Sequence, residues 1–214
     1  MNLNVHILSV GFVKNIRLIT MNIKLAIFDL DGTLIDSVKV HSKAWEESCE
    51  SFGYIIPESY FYDLTGMTSK SVGKKLVKDF GISENCIDEL IQYKSKLYFD
   101  NIYKIDVFEN ILEILKDYKS KNIKVALATG SKRQNVLEIL RVKDLDLFDF
   151  IVTSNELQYS KPNPEAFLKC LEHFNCTSDE AVVFEDSESG IEAAKNANIR
   201  CCICKDGNIM NQGD

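Results

Sequence analysis

Leu25-Ala-Ile-Phe-Asp29-Leu-Asp31-Gly-Thr33-Leu34 decides how the rest of the chain is read. Leu25 to Phe28 are four consecutive apolar residues, the pattern of a short strand buried on both faces. Two carboxylates follow with one residue between them. Side chains in a strand alternate faces, so Asp29 and Asp31 emerge on the same side as the strand ends. Gly32 lets the backbone turn sharply behind them. Two acids confined to one small space repel each other and resist burial. A cation between them relieves both effects, and hard oxygen ligands suit Mg²⁺.

The chain after Thr33 reads as helical. Val38, His41, Trp45, Cys49 and Phe52 recur at helical intervals, Gly53 is a stop signal, and Ser37 stands where an N-cap belongs. Further helices are predicted over about 69–80 and 84–100, the latter carrying Ile87, Leu90, Ile91, Lys94, Leu97 and Tyr98 on one face, with a loop at Leu64–Thr68 between. Residues 37–104 therefore read as an all-helical module. From Val107 the rhythm becomes helix, strand, helix, strand. Strands are predicted at 123–128, 150–152, 181–184 and 200–204, and helices at 133–142, from Asn163-Pro164 (N-cap and N1) to Phe174, and at 190–198, where Asn198 can take a left-handed cap. Apolar strands alternating with amphipathic helices predict an α/β fold, a doubly wound parallel sheet of Rossmann type. Ligands in such sheets lie at the carboxyl ends of the strands. The expected division is an extension at 1–20, a core from 21–36 and 105–214, and the helical insert at 37–104.

Polar residues gather at those strand ends. The first strand ends in Asp29 and Asp31, the next in Thr129-Gly130-Ser131, and a later one in Glu185-Asp186. Lys161 lies in the segment between the last two of these strands. Singly, Thr129 reads as a strand-end hydroxyl, Lys161 as a surface lysine, and Glu185-Asp186 as acids at a helix start. Together, in this order, they resemble the haloacid dehalogenase superfamily of phosphohydrolases, in the branch that includes β-phosphoglucomutase and sugar-phosphate phosphatases. The resemblance spans about residues 22–204 and rests on DLDGT at 29–33, ALATGS at 126–131, KPNPEAF at 161–167 and FEDSESGIEAAK at 184–195.

The resemblance implies phosphoryl transfer. Asp29 would be the nucleophile, forming an aspartyl-phosphate, and Asp31 the acid and then base, with a pKa near the operating pH. Thr129, Lys161 and the backbone N–H groups of Leu30 and Gly130 would hold phosphoryl oxygens. Asp29, the Asp31 carbonyl and Asp186 would hold Mg²⁺. Glu185 joins them less securely, because adjacent strand residues point to opposite faces. The insert resembles a helical cap that closes over the crevice, hinged near Asp36-Ser37. His41 matches a cap histidine that contacts the core acid, against the alternative of packing beside Trp45. Lys94 matches a cap lysine that reaches substrate, against a solvated lysine-rich face. Thr65 and Ser69 stand where the mutase has a lysine and an arginine. A mutase grips both ends of a sugar bisphosphate, so the missing cations favour a phosphatase acting on small phosphorylated metabolites. Dehalogenase chemistry does not use the acid/base at Asp31, and a phospho-receiver domain would lack the insert.

Composition agrees with this class. The 214-residue chain is 45% hydrophobic and 27% charged with a net charge of −7, without the basic footprint of a nucleic-acid binder. Val5 to Val13 is mildly apolar but too short to span a bilayer, so no membrane partner is expected. Met21 is an alternative start. Seven cysteines in unpaired spacing read as reduced thiols of a cytoplasmic protein, and Cys201-Cys202-x-Cys204 as a buried strand rather than a metal site. Residues 205–214 are short and polar, which leaves the last sheet edge with little cover.

Overall fold

The computed structural model describes residues 23–62, 64 and 67–210. The extension at 1–20 and Thr65 lie outside them. A six-stranded sheet has β1 (Leu25–Phe28) at its centre between β4 (Lys124–Ala128) and β6 (Ala181–Glu185), with β5 (Phe150–Val152) outside β4 and β7 (Arg200–Lys205), then β8 (Asn208–Ile209), outside β6. Strands β1, β4, β5, β6 and β7 are parallel. Phe28 pairs with both Leu127 and Phe184, so the chain segments leaving β1, β4 and β6 emerge side by side.

Every residue of β1 is fully buried, because helices cover both faces of the sheet. On one face Ala26, Phe28, Leu127 and Phe184 pack against α5 (Glu109–Ser120) and α6 (Arg133–Val142) through Ile111, Leu115, Tyr118, Val136 and Ile139. Phe28 and Phe184 stack with ring centroids 4.5 Å apart. On the other, Leu25, Ile27, Ala126 and Val183 meet α7 (Glu165–Phe174) and α8 (Glu188–Asn196) through Phe167, Cys170, Ala193 and Ala194.

Between Asp36 and Asp106 the described residues make four α-helices: α1 (Val38–Ser51), α2 (Glu58–Tyr62), α3 (Ser69–Phe80) and α4 (Glu84–Asp100). Trp45, Cys49, Phe61, Val72, Leu76 and Leu90 form a core of their own in this helical cap. A two-stranded antiparallel ladder, β2 (Ile35–Asp36) with β3 (Asp106–Val107), stands where the chain leaves and re-enters the sheet domain.

Several local readings need correction. Ser37 occupies the N-cap position of α1, but its side chain caps nothing and donates instead to Asp31. Helix α7 begins at Glu165 rather than Pro164, with Asn163 Oδ1 accepting from the Glu165 N–H. Helix α8 begins at Glu188, two residues before the expected Gly190, because Ser187 caps it; Asn198 does take the left-handed conformation. Strand β7 is not buried throughout: Cys202 and Cys204 point inward while Ile203 is 39% exposed. Strand β8 (Asn208–Ile209) pairs with its final residues, so the sheet continues past the expected last strand. The seven cysteines are free thiols. Among the described residues no helix is long and apolar enough to cross a membrane.

Candidate active site

Asp29 follows β1, Thr129 follows β4, and Glu185 ends β6 with Asp186 next to it, so three adjacent strands end side by side in these residues and bring Asp29, Glu185 and Asp186 together. Lys161 reaches this group from the segment before α7. Its ammonium lies 2.6 Å from Asp29 Oδ1, 2.6 Å from Glu185 Oε2 and 3.2 Å from the Ala128 carbonyl, with the Phe167 ring 5.2 Å away. Residues 132 positions apart in the chain are thus bonded directly.

Carboxylate oxygens of Asp29, Glu185 and Asp186 can all lie within 4.8 Å of one another. Burial first, then the Glu185 charge, pushes the Asp29 carboxyl well above the usual range against the opposing Lys161. The same two causes push Asp186 up to about 6. Burial lowers the Lys161 pKa, but the charges of Asp29 and Glu185 outweigh it and hold the ammonium above its ordinary value. Three crowded acids against one buried ammonium leave excess negative charge. This all-oxygen set fits a hard divalent cation. Glu185 can be turned toward this group because the strand ends there: Ser187 donates to Oε1 from its hydroxyl (2.8 Å) and its N–H (3.2 Å). Gly190 makes room, since a Cβ there would collide with the Glu185 carboxylate, and a Cβ on Gly32 (φ +87°) would collide with Asp186. Thr33 donates to Asp186 Oδ1 at 2.9 Å.

Thr129 is buried and its Oγ1 accepts from the Ser131 N–H at 3.0 Å. Leu30 is buried in the turn after Asp29. Gly130 follows Thr129 with open space before its α-carbon.

Asp31 has its own surroundings. Ser37 Oγ donates to Oδ1 and Ser131 Oγ to Oδ2, each at 2.6 Å, and His41 Nε2 stands 3.7 Å from Oδ1. Burial would raise this carboxyl, but His41, Ser131 and Ser37 outweigh it and hold the pKa at about 2. The expectation of a pKa near neutrality is therefore not met in this arrangement. Every donor around Asp31 favours the anion.

His41 does not pack beside Trp45 but stacks on Tyr98, with centroids 3.9 Å apart and planes 5° apart; Trp45 stacks on Phe61 instead. Its Nδ1 is 2.6 Å from Lys94 Nζ. The solvated reading of Lys94 is overturned. The residue is 4% exposed, with its ammonium 5.0 Å from the Tyr98 ring and 5.4 Å from Trp45. Burial takes its pKa down to about 7, with Asp31 resisting and Lys132 adding to the fall. Ser69 opens α3, half-buried. Sequence reading missed Ser131, Ser187 and Tyr98 as parts of the site. Ser131 was visible only as the end of ALATGS, and Tyr98 only as one more residue on an apolar helix face.

The family model described as "Haloacid dehalogenase-like hydrolase" matches residues 26–204. The chain is 35% identical over 181 residues to a phosphorylated carbohydrates phosphatase from Thermotoga maritima, covering 81% of each chain. It is 31% identical over 183 residues to β-phosphoglucomutase from Bacillus subtilis, covering 81% of this chain and 80% of that one. The crystal structure of β-phosphoglucomutase from Clostridium difficile matches with a TM-score of 0.71 at 29% identity, over 84% of this chain and 83% of that one.

Proposed function

Because the chain belongs to the haloacid dehalogenase-like hydrolase family, we propose that it is a Mg²⁺-dependent phosphatase of small phosphomonoesters, sugar phosphates among them. One observation carries the reading: a buried lysine holds the carboxylate after β1 against the carboxylate at the end of β6. A surface role for these residues has no use for that contact. The similarity to a phosphatase named for phosphorylated carbohydrates supports the substrate class.

In this mechanism Asp29 attacks phosphorus, the ester P–O bond breaks, and the departing oxygen takes a proton from Asp31. Water then attacks the aspartyl-phosphate, Asp31 accepts its proton, and the bond to Asp29 breaks to release inorganic phosphate. Lys161, the Thr129 hydroxyl and the N–H groups of Leu30 and Gly130 hold the phosphoryl oxygens. Asp29, Asp186, Glu185 and the Asp31 carbonyl would hold Mg²⁺, which when bound supplies charge neutralisation for the phosphoryl group. The anionic Asp31 is already the base that the second half needs. For the first half it must carry a proton, a form that His41, Ser131 and Ser37 disfavour. The helical segment 37–104 serves as the cap that excludes water while this happens.

A mutase uses the same core residues. Here the buried Lys94 is engaged with His41, and Ser69 replaces an arginine, which leaves few cap cations for a second phosphate. That supports hydrolysis over transfer. The test is Mg²⁺-dependent release of p-nitrophenol from p-nitrophenyl phosphate. Asp29→Asn is expected to lower turnover by ~10³-fold or more. Activity retained in that variant overturns the assignment.

A further inference from the structure

Tyr98, on α4, lies at the junction of the cap and Asp31. It is 1% exposed, and its hydroxyl, close beside the Asp31 carboxylate, is the one buried side-chain oxygen or nitrogen among the described residues that makes no hydrogen bond of good geometry. Buried hydroxyls are nearly always paired, so an orphan beside a site calls for an explanation. The ring meets two polar groups that touch each other: His41 stacks on it at 3.9 Å, and Lys94 Nζ, 2.6 Å from His41 Nδ1, stands 5.0 Å from its centre. The same His41 turns Nε2 toward Asp31 Oδ1.

Asp31 meanwhile has both oxygens occupied, Oδ1 by Ser37 and Oδ2 by Ser131. A carboxylate so bound keeps further lone pairs, but turning one of them toward the proton of a substrate or of water moves its oxygen away from a serine. Where that turn lengthens a serine hydrogen bond, in a site of low dielectric another donor close by offsets the loss. We propose that Tyr98 is the positioning residue that does this: its ring fixes the plane of His41, and its hydroxyl donates to Asp31 when the carboxylate turns from a serine toward the reacting oxygen. Asp31 is the carboxylate within reach of this hydroxyl: burial, the Asp31 charge and Asp31 as acceptor all raise the phenol pKa. The inference rests on the reading of Asp31 as the acid–base group.

The experiment is Tyr98→Phe, which keeps the ring and removes one oxygen, assayed with p-nitrophenyl phosphate and Mg²⁺ beside Asp29→Asn, Asp31→Asn and the Tyr98→Phe/Asp31→Asn double variant. The expected result is a kcat lowered about tenfold or more, KM within twofold of wild type, and a Tm equal or higher because an unpaired buried hydroxyl has gone. If Tyr98 acts through Asp31, the double variant turns over no more slowly than Asp31→Asn alone. An unchanged kcat, a kcat and Tm that fall together, or additive losses in the double variant would each overturn the inference. Those outcomes leave the nucleophile assignment standing as long as Asp29→Asn is inactive. An active Asp29→Asn overturns the reading beneath it instead.

Discussion

Lys161 shows how much one side chain can hold. It has 11% of its side chain exposed, and it faces two carboxylates that are more buried still. Removing one partner of a buried ion pair costs ~3–5 kcal/mol, because the charge left behind has neither water nor counterion. Lys161→Met keeps most of the stem and discards the charge. Its Tm should fall by about 6–20 °C in metal-free buffer, and Mg²⁺ should restore part of the loss by neutralising the same acids. Thermal melts with and without Mg²⁺ check this. An unchanged Tm would mean that the three acids do not feel one another. Lys94 is the other buried lysine of the site. On helix α4 it sits midway between Leu90 and Tyr98 at intervals of four, so the sequence placed it on the inward stripe. What the stripe could not reveal was the box of Trp45, Tyr98 and His41 that receives it.

Strand ends do the positioning at the level of whole elements, and the helices that follow keep those ends in place. Ser187 serves both: its hydroxyl accepts from the Gly190 N–H as the cap of α8 and donates to Glu185 Oε1. Ser187→Ala should therefore cost ~1 kcal/mol, the ordinary loss for an N-cap, and also raise the Mg²⁺ concentration needed for half-maximal activity. Urea denaturation reads the first effect and a Mg²⁺ titration the second. A stability loss without a shift in the titration would separate the cap from the site. Ser37 is the opposite case. Sequence pattern put it at the N-cap of α1, and it is there, but its hydroxyl goes to Asp31. Local propensity identified the position and could not identify the partner, which competes for the same hydroxyl from outside the helix.

For the molecule as a whole, the clustered acids make stability depend on pH in opposite directions. Asp186 has its folded pKa raised to about 6 against an ordinary 3.8, so the unfolded chain gives up this proton first. Its contribution falls as pH rises from about 4 through 6, and Asp29 adds in the same direction. Asp31 is held at about 2, so its contribution is present above about 4 and is lost as pH falls toward 2. A bound cation replaces protons on the raised acids. The rise in Tm on adding Mg²⁺ should accordingly be larger at pH 8 than at pH 5, where protons compete for Asp186. Melting curves at the two pH values decide it, and an equal rise at both would remove Asp186 from the metal site.

The order of apolar strands and amphipathic helices was enough to specify the parallel sheet, because buried strands and covered faces leave a period in the chain itself. The positions of Asp29, Thr129, Lys161 and Asp186 at strand ends and loops were legible for the same reason. That Lys161 reaches both Asp29 and Glu185, that Ser37 and Ser131 both serve Asp31, and that Lys94 and Tyr98 come in beside His41 was decided only by the tertiary fold. Periodicity records which face a side chain takes. Its partner is set by which other elements pack across that face, and contacts between residues more than a hundred positions apart leave no mark on the spacing of either one.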